Sequence, residues 1–375
     1  MNTLGLIFSY THRENLRELT KPRTLASLPI AGKYRIIDVL LSNFVNSSIT
    51  DVSIITKSNY HSLMDHVGAG KEWDLTRKNG GLRVLTPYAS PQMSVNSSMY
   101  RGDVEALATN MHSIRRSMAE YVVISGSGTL YSMDFNHVIQ SHIDRHADIT
   151  VVYTRSMNGS KIVPSGVVVF QMDEHERIYD LKYNTDDTSP QEVAWGIGVI
   201  IIKKSLLESL VADAMSYQEY DFYEGILKRL AGTLNILGYE YKGYLMEISS
   251  VTDYMKANLK LLEKDMRDKF FEHPIYTKIK DSVPVMYCEG CQVVNSILAD
   301  GCRIEGTVEN SIISRGVRIG RGAVVKNSIV MQNTEIMQNV VLDHVILDKD
   351  VIVRENRQLV GHETYPVVVE KLSIV

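Results

Sequence analysis

VRIGRGAVVKNSIVM, residues 317–331, decides the shape of the C-terminal part of this chain. Val317, Ala323 and Ile329 stand six residues apart, and Val341 falls two further steps along the same period. Asn, Gly, Asp and Lys fill the intervals. Helical periodicity is absent here. A six-residue period with one short apolar step per repeat predicts a parallel β-helix, with three faces to each coil. Similar steps occur at Cys302 and Ile304, at Val325, and at Met331. The repeat is irregular around residues 310–316, and an ordinary β-sandwich tail is the alternative the pattern leaves open. A solenoid has open ends, so a packed domain or another subunit is expected to cover them.

Upstream the rhythm changes. Residues 273–284 contain two prolines and no clear period, which reads as a linker. Before it, strands alternate with helices. Residues 3–9, 51–56, 121–125, 149–154 and 196–202 read as strands. Residues 167–172 and 177–183 read as a hairpin around a polar turn. Residues 103–120 carry an apolar helical stripe (Val104, Leu107, Ala108, Met111, Ile114, Met118) that Asp103 can cap. Residues 251–271 read as one longer amphipathic helix. Such alternation predicts a layered α/β sheet, largely parallel.

The chain of 375 residues is long enough for two domains. A formal charge of −4 gives no basic surplus of the kind nucleic-acid binders carry. No apolar run reaches membrane-spanning length, and the first nine residues lack the charged n-region of a signal peptide, so the expected compartment is the cytoplasm. The three cysteines, Cys288, Cys291 and Cys302, are too few for a disulfide framework. The Cys288/Cys291 spacing suits a metal or redox pair, but no second pair follows, so buried thiols are expected.

Several segments resemble one family. Leu19-Thr20-Lys21, the run from Gly32 to Asp38, Leu41-Ser42-Asn43 and Asn46-Ser47 are similar to the N-terminal region of bacterial glucose-1-phosphate adenylyltransferases. Tyr100-Arg101-Gly102 followed by Glu105-Ala106 resembles that family's YRGTxDA segment. Tyr131, Met133, Asp134 and Tyr220-Asp221-Phe222 match too, as do the tail segments starting at Gly306 and Gly316. The resemblance runs in order along essentially the whole chain. It implies a GT-A-like, Rossmann-like nucleotidyltransferase domain with a mixed, mainly parallel sheet over residues 1–272. The linker is then 273–284, and residues 285–375 form a left-handed parallel β-helix.

The departures bear on chemistry. Family members open with GGxGxRL, whose glycines let backbone N–H groups approach nucleotide phosphates. The matching positions here are Tyr10, Thr11, His12, Arg13, Glu14, Asn15 and Leu16. A Lys-Pro pair that meets phosphate is replaced by Leu25-Ala26, and leucine offers neither charge nor donor. Two family aspartates hold Mg²⁺; their positions fall on Gly128 and, beside Ser249-Ser250, on Glu247. A sugar-phosphate lysine falls on Asn184. Lys33, Tyr100, Arg101 and Gly102 are candidates for residual ligand binding. Arg23 and Arg35 match a basic cleft that takes anionic effectors in the family.

Losing one such donor or metal ligand costs on the order of a hundredfold in rate, and here several are missing together. The chain is therefore expected to be inactive or nearly so alone and to bind no metal itself. The resemblance, which includes non-catalytic members of the family, implies a regulatory subunit partnered with a catalytic glucose-1-phosphate adenylyltransferase subunit, which needs Mg²⁺, in a heterotetramer. A homo-oligomer can form without that partner, and an anionic sugar phosphate is the expected effector. An active nucleotidyltransferase with a rearranged phosphate and metal site is the alternative, with Lys33, Arg35, Arg101, Asp134 and Glu247 supplying charge. A hexapeptide acyltransferase would need a histidine base, and the solenoid offers only His344 and His362.

Overall fold

The computed structural model describes residues 2–11, 15–87, 100–156, 163, 166–184 and 193–375. The N-terminal part is built on a sheet of nine strands among the described residues. Thr3–Phe8 lies near its middle, paired in parallel with both Asp51–Ile55 and Tyr121–Ser125. Gly81–Leu85 extends the parallel edge beyond Asp51–Ile55. The long strand Val193–Lys203 runs antiparallel to Tyr121–Ser125, and on its other side pairs with Ile149–Ser156 and Val168–Met172. The hairpin of Val168–Met172 and Ile178–Tyr183 forms as expected. Thr3–Phe8 is buried along its whole length, as a strand covered by helices on both faces must be.

Two helices are shorter than the sequence pattern suggests. Residues 103–120 break into Asp103–Thr109 and Met111–Arg116. The amide of Asn110 donates to the Ala106 carbonyl and to Tyr100 Oη, which competes with helix continuation. Gly102, not Asp103, stands at the N-cap. The second long helix divides into Val251–Lys260 and Lys264–Phe270. Ser250 caps the first of these, its Oγ accepting from the Asp253 N–H at 3.1 Å.

Residues from Met286 onward wind into three parallel sheets of five strands each, the left-handed β-helix. Val308, Val325 and Leu342 stack on successive coils and are fully buried. Coil corners require a left-handed backbone, and asparagine tolerates it. Asn295, Asn310 and Asn327 hold φ of 43°, 48° and 45° at one such corner. The Asn295 amide also donates to Asn310 Oδ1 at 2.8 Å, which ties adjacent coils. The apparent irregularity at residues 310–316 is thus a regular corner between strands Thr307–Glu309 and Ile312–Ile313. Of the cysteines only Cys302 is buried; Cys288 and Cys291 are partly exposed, because the first coil has no coil beneath it.

The two parts share one apolar core. Ile329, Met331 and Ile346 of the β-helix belong to the same cluster as Leu16, Leu25 and Tyr254 of the N-terminal part. Within this contact Arg23 Nη1 meets Asp348 Oδ1 at 2.8 Å, and both side chains are buried. Around its rim Lys21 pairs with Glu370, and the Arg17 guanidinium sits 4.7 Å from the Tyr365 ring centre. Among the described residues no helix is long and apolar enough to cross a membrane.

Candidate functional site

In open α/β sheets, ligands bind beyond the carboxyl ends of the strands, where strand order reverses. Thr3–Phe8 has later strands on both sides, and a cleft opens beyond its end and that of Tyr121–Ser125. The floor is the turn Gly126 to Gly128 and a kink in Val193–Lys203. That kink is a register shift between Gly196 and Val199, with Gly198 at φ +80°. The Gly198 carbonyl accepts from the Gly126 N–H at 2.9 Å, and the positive φ at Gly198 is one that glycine adopts without strain. One wall carries Asp221, Phe222 and Tyr223 at the start of a π-helix, Tyr223–Lys228. Asp221 Oδ1 accepts from the N–H groups of Tyr223 and Glu224, and Oδ2 from Tyr183 Oη at 2.6 Å.

The fold brings the two family metal positions together. Thr129–Tyr131 pairs with Leu245–Glu247, setting Glu247 opposite Thr129, and the Ile248 N–H donates to the Gly128 carbonyl at 2.7 Å. These residues do not fit a metal. Gly128 supplies no ligand, and a Cβ added there would lie 2.8 Å from Thr11 Cγ2. Glu247 Oε2 is occupied by the Thr129 hydroxyl at 2.9 Å. No group of three His, Cys, Asp or Glu side chains among the described residues could hold a metal ion.

Burial pushes the Glu247 carboxyl up to about 7, with the Asp253 charge adding to the rise and the Thr129 hydrogen bond opposing it. The folded chain therefore holds this proton more tightly than the unfolded chain, whose carboxyl titrates near 4.5. Stability contributed here is lost as pH rises between 4.5 and about 7. Glu247→Gln keeps an acceptor for Thr129 and removes the charge. Urea unfolding at pH 8 should find the variant more stable by about 2–3 kcal/mol, with the gap closing near pH 4.5. An equal stability at both pH values would refute a carboxyl raised by its partial burial at the cleft wall.

The opening-loop positions lie as follows. Tyr10 is buried edge-on against Phe8, with ring centres 5.8 Å apart. Its hydroxyl is held far above its usual range by burial, then by Asp103 and Tyr100. Thr11 lines the cleft beside Gly128. The Asn15 N–H donates to the Ser249 carbonyl at 2.7 Å, which fastens the loop to the segment after Glu247. Leu25 is fully buried in the shared core and faces no cleft. His12, Arg13 and Glu14 lie outside the described residues.

None of the four residual-ligand candidates is among the described lining residues. Lys33 Nζ sits 5.0 Å from the Tyr34 ring centre. Tyr100 is buried on Asn110, and Arg101 chelates Glu105 and stacks 3.8 Å over Tyr220. Gly102 packs on the Tyr220 backbone. Asn184 hydrogen-bonds the Val163 carbonyl. Asp103, Tyr183 and Tyr223 enter the lining without having been singled out as site residues. Only their position beside Tyr220-Asp221-Phe222 in the fold identifies them.

The Nucleotidyl transferase family description matches residues 12–264, and a GlmU-like C-terminal hexapeptide description matches residues 285–365. The chain belongs to the nucleotidyl transferase family, in the group formed by glucose-1-phosphate adenylyltransferases and the related GlgD proteins. It is 36% identical over 370 residues to the glycogen biosynthesis protein GlgD of Bacillus subtilis, covering 98% of this chain and 95% of that protein. Similarity to the Geobacillus stearothermophilus GlgD is 35% over 324 residues, covering 86% and 82%. A glucose-1-phosphate adenylyltransferase of Thermosipho africanus is 30% identical over 331 residues, covering 87% of this chain and 78% of that one.

Proposed function

We propose that this chain acts in glycogen biosynthesis, in the cytoplasm, as a regulatory and catalytically inactive subunit. Its partner is a catalytic glucose-1-phosphate adenylyltransferase, which converts ATP and glucose 1-phosphate to ADP-glucose and pyrophosphate with Mg²⁺. The two form a heterotetramer, and this chain can self-associate without its partner. The observation that carries the reading is the contact of Thr11 against Gly128, at a metal position with no ligand. Transfer of a nucleotidyl group depends on positioning and charge stabilisation, and a cleft without the metal ligand has little of either to offer.

Regulation requires a part of the chain that differs in free energy between two states of the assembly. The basic interface between the domains supplies one. Lys349 is buried beside Arg35 and Arg23, and burial followed by those like charges brings its ammonium down to about 7. Burial likewise brings Arg35 down to about 10. Lys280 and Arg315 share a neighbouring groove, and Arg315 Nε is a buried donor without a partner among the described residues. An anionic effector such as a sugar phosphate would relieve this crowding. Arg23 is already paired with Asp348, so Arg35, Lys349, Lys280 and Arg315 are the cations left to it.

Arg35 is also tied to the linker. The buried Asp38 carboxylate accepts from the Arg35 N–H, from Thr277 Oγ1 and, at 2.6 Å, from His66. An effector that shifts Arg35 would therefore move the segment joining the domains. Adenylyl transfer should be measured with this chain alone, with the partner alone and with both. No rate is expected from this chain alone, and the mixture should be faster than the partner or differ in its effector response. A substantial rate alone would replace this reading with that of a rearranged active enzyme.

A further inference from the structure

The first corner of the β-helix carries a chemistry that neither the cleft nor the interdomain groove uses. Cys288 and Cys291 are free thiols, and both are partly exposed. The Cys291 N–H donates to the Cys288 carbonyl at 3.2 Å, and Gly290 between them holds φ +81°. This is a β-turn with glycine at the third position, where a positive φ is required. A β-turn keeps the Cα atoms of its first and fourth residues within about 7 Å. A disulfide spans about 4.4–6.8 Å between Cα atoms, so the turn sets the two cysteines at a separation that a disulfide can bridge.

Packing accounts for one of these thiols and not for the other. Strand Met286–Tyr287 pairs with Arg303–Ile304, which stacks on Arg318–Ile319 and then on Glu335–Ile336. The residues that follow these strands are Cys288, Glu305, Gly320 and Met337. That position accepts a charge, a glycine or a methionine, so the solenoid sets no demand for a small apolar side chain there. Cys291 differs, because it packs against the apolar core of the β-helix. Ala323, which closes the equivalent turn from Gly320 two coils on, is fully buried. The surroundings also divide the roles. Arg303 Nε meets Glu305 Oε1 at 2.7 Å, and its guanidinium lies close to Cys288. A sulfur attacking from Cys288 develops its negative charge beside a cation. Cys291, seated on the core, is then the second sulfur to react.

We propose that Cys288 and Cys291 form a reversible thiol–disulfide site whose oxidant is a low-molecular-weight disulfide of the oxidised glutathione kind. The Cys288 sulfur gives up its proton, attacks one sulfur of the small disulfide and releases one thiol. The Cys291 sulfur gives up its proton, attacks Cys288 in the mixed disulfide and releases the second thiol. One small disulfide is thereby reduced to two thiols, and the two cysteines are oxidised to one disulfide. Exposed disulfides are the labile ones, suited to switching. The coil affected is the one that follows the linker. It hangs from the second coil by bonds such as Met286 N–H to the Cys302 carbonyl at 2.8 Å and Cys288 N–H to the Ile304 carbonyl at 2.9 Å. Closing the turn tightens this coil, and does so whatever the cleft binds.

The test is to incubate the full chain with oxidised glutathione, alkylate it, and digest it without reductant using a protease that cuts after Glu289. That cut separates the two cysteines unless a disulfide joins them. A Cys288–Cys291 link that dithiothreitol removes is the expected product. Hydrogen exchange over residues 285–298 should slow about tenfold when the link closes. Cys291→Ser should stop at the glutathione adduct on Cys288, Cys288→Ser should form no link, and Cys302→Ser should still form it. Where Cys302→Ser does not fold, the peptide map of the unaltered chain carries the assignment. A link to Cys302, adducts without any link, no reaction, or a link that leaves exchange unchanged would each overturn the proposal. So would a zinc ion held by both thiolates in the purified chain, since the pair would then be a metal site.

Discussion

Arg23→Ala should lower the unfolding free energy by about 3–5 kcal/mol, the cost of stranding one charge of a buried ion pair. The pair joins the two domains, with Arg23 2% and Asp348 0% exposed. Asp348 Oδ1 also accepts from the Lys349 N–H at 2.7 Å, so the carboxylate is held by backbone as well as by Arg23. Without Arg23 the carboxylate keeps the Lys349 N–H and the nearby Lys349 charge but loses its buried ion-pair partner. Asp348→Ala should cost as much or more, because Arg23, Arg35 and Lys349 then crowd together without their counter-ion. The double variant should lose less than the sum, since neither charge is left alone. Urea unfolding of the four proteins measures the cycle. A single-variant loss below about 1 kcal/mol would mean that water reaches the pair and screens it, as at surface pairs.

The second large effect is expected at Gly102→Ala. A Cβ there would lie 2.1 Å from the Tyr220 carbonyl oxygen and 2.6 Å from its carbon. These are backbone atoms, and the same carbonyl accepts from the Val104 N–H at 3.0 Å, so it cannot swing aside. Helix Asp103–Thr109 or the segment before the π-helix must shift, at a cost of about 3 kcal/mol in line with other overpacked sites. Gly232→Ala is the control, because nothing lies within 4 Å of a Cβ at that position. Matching unfolding curves for the two variants would show that the Gly102 contact relaxes without cost.

The β-helix was readable from residues 317–331 because its contacts are local. Each coil stacks on the next, so the inward positions recur at short spacing and the period appears in the sequence itself. The nine-stranded sheet was readable as a strand and helix alternation for a similar reason, since buried strands and amphipathic helices carry their own periodicities. Helix ends were less readable. The break at Asn110 depends on Tyr100, whose hydroxyl helps hold the asparagine amide, and that choice is made by packing rather than by propensity.

The sequence by itself determined the family and the two architectures. It also named the positions expected to depart from the pattern of the family it resembles, because residue identity is read directly from the sequence. Tertiary structure decided what stands in their place. Glu247 and Thr129 meet across 118 residues of chain, and Thr11 reaches Gly128 only once two strands pair. Docking of the β-helix buries Arg23, matched by sequence to an effector cleft, against Asp348. Lys33, Tyr100 and Arg101 carry the residue types of a site but lie outside the cleft lining. The reason is physical: periodicity encodes which face of an element is buried, whereas the partner of a given charge is set by the distant segment that packs against it.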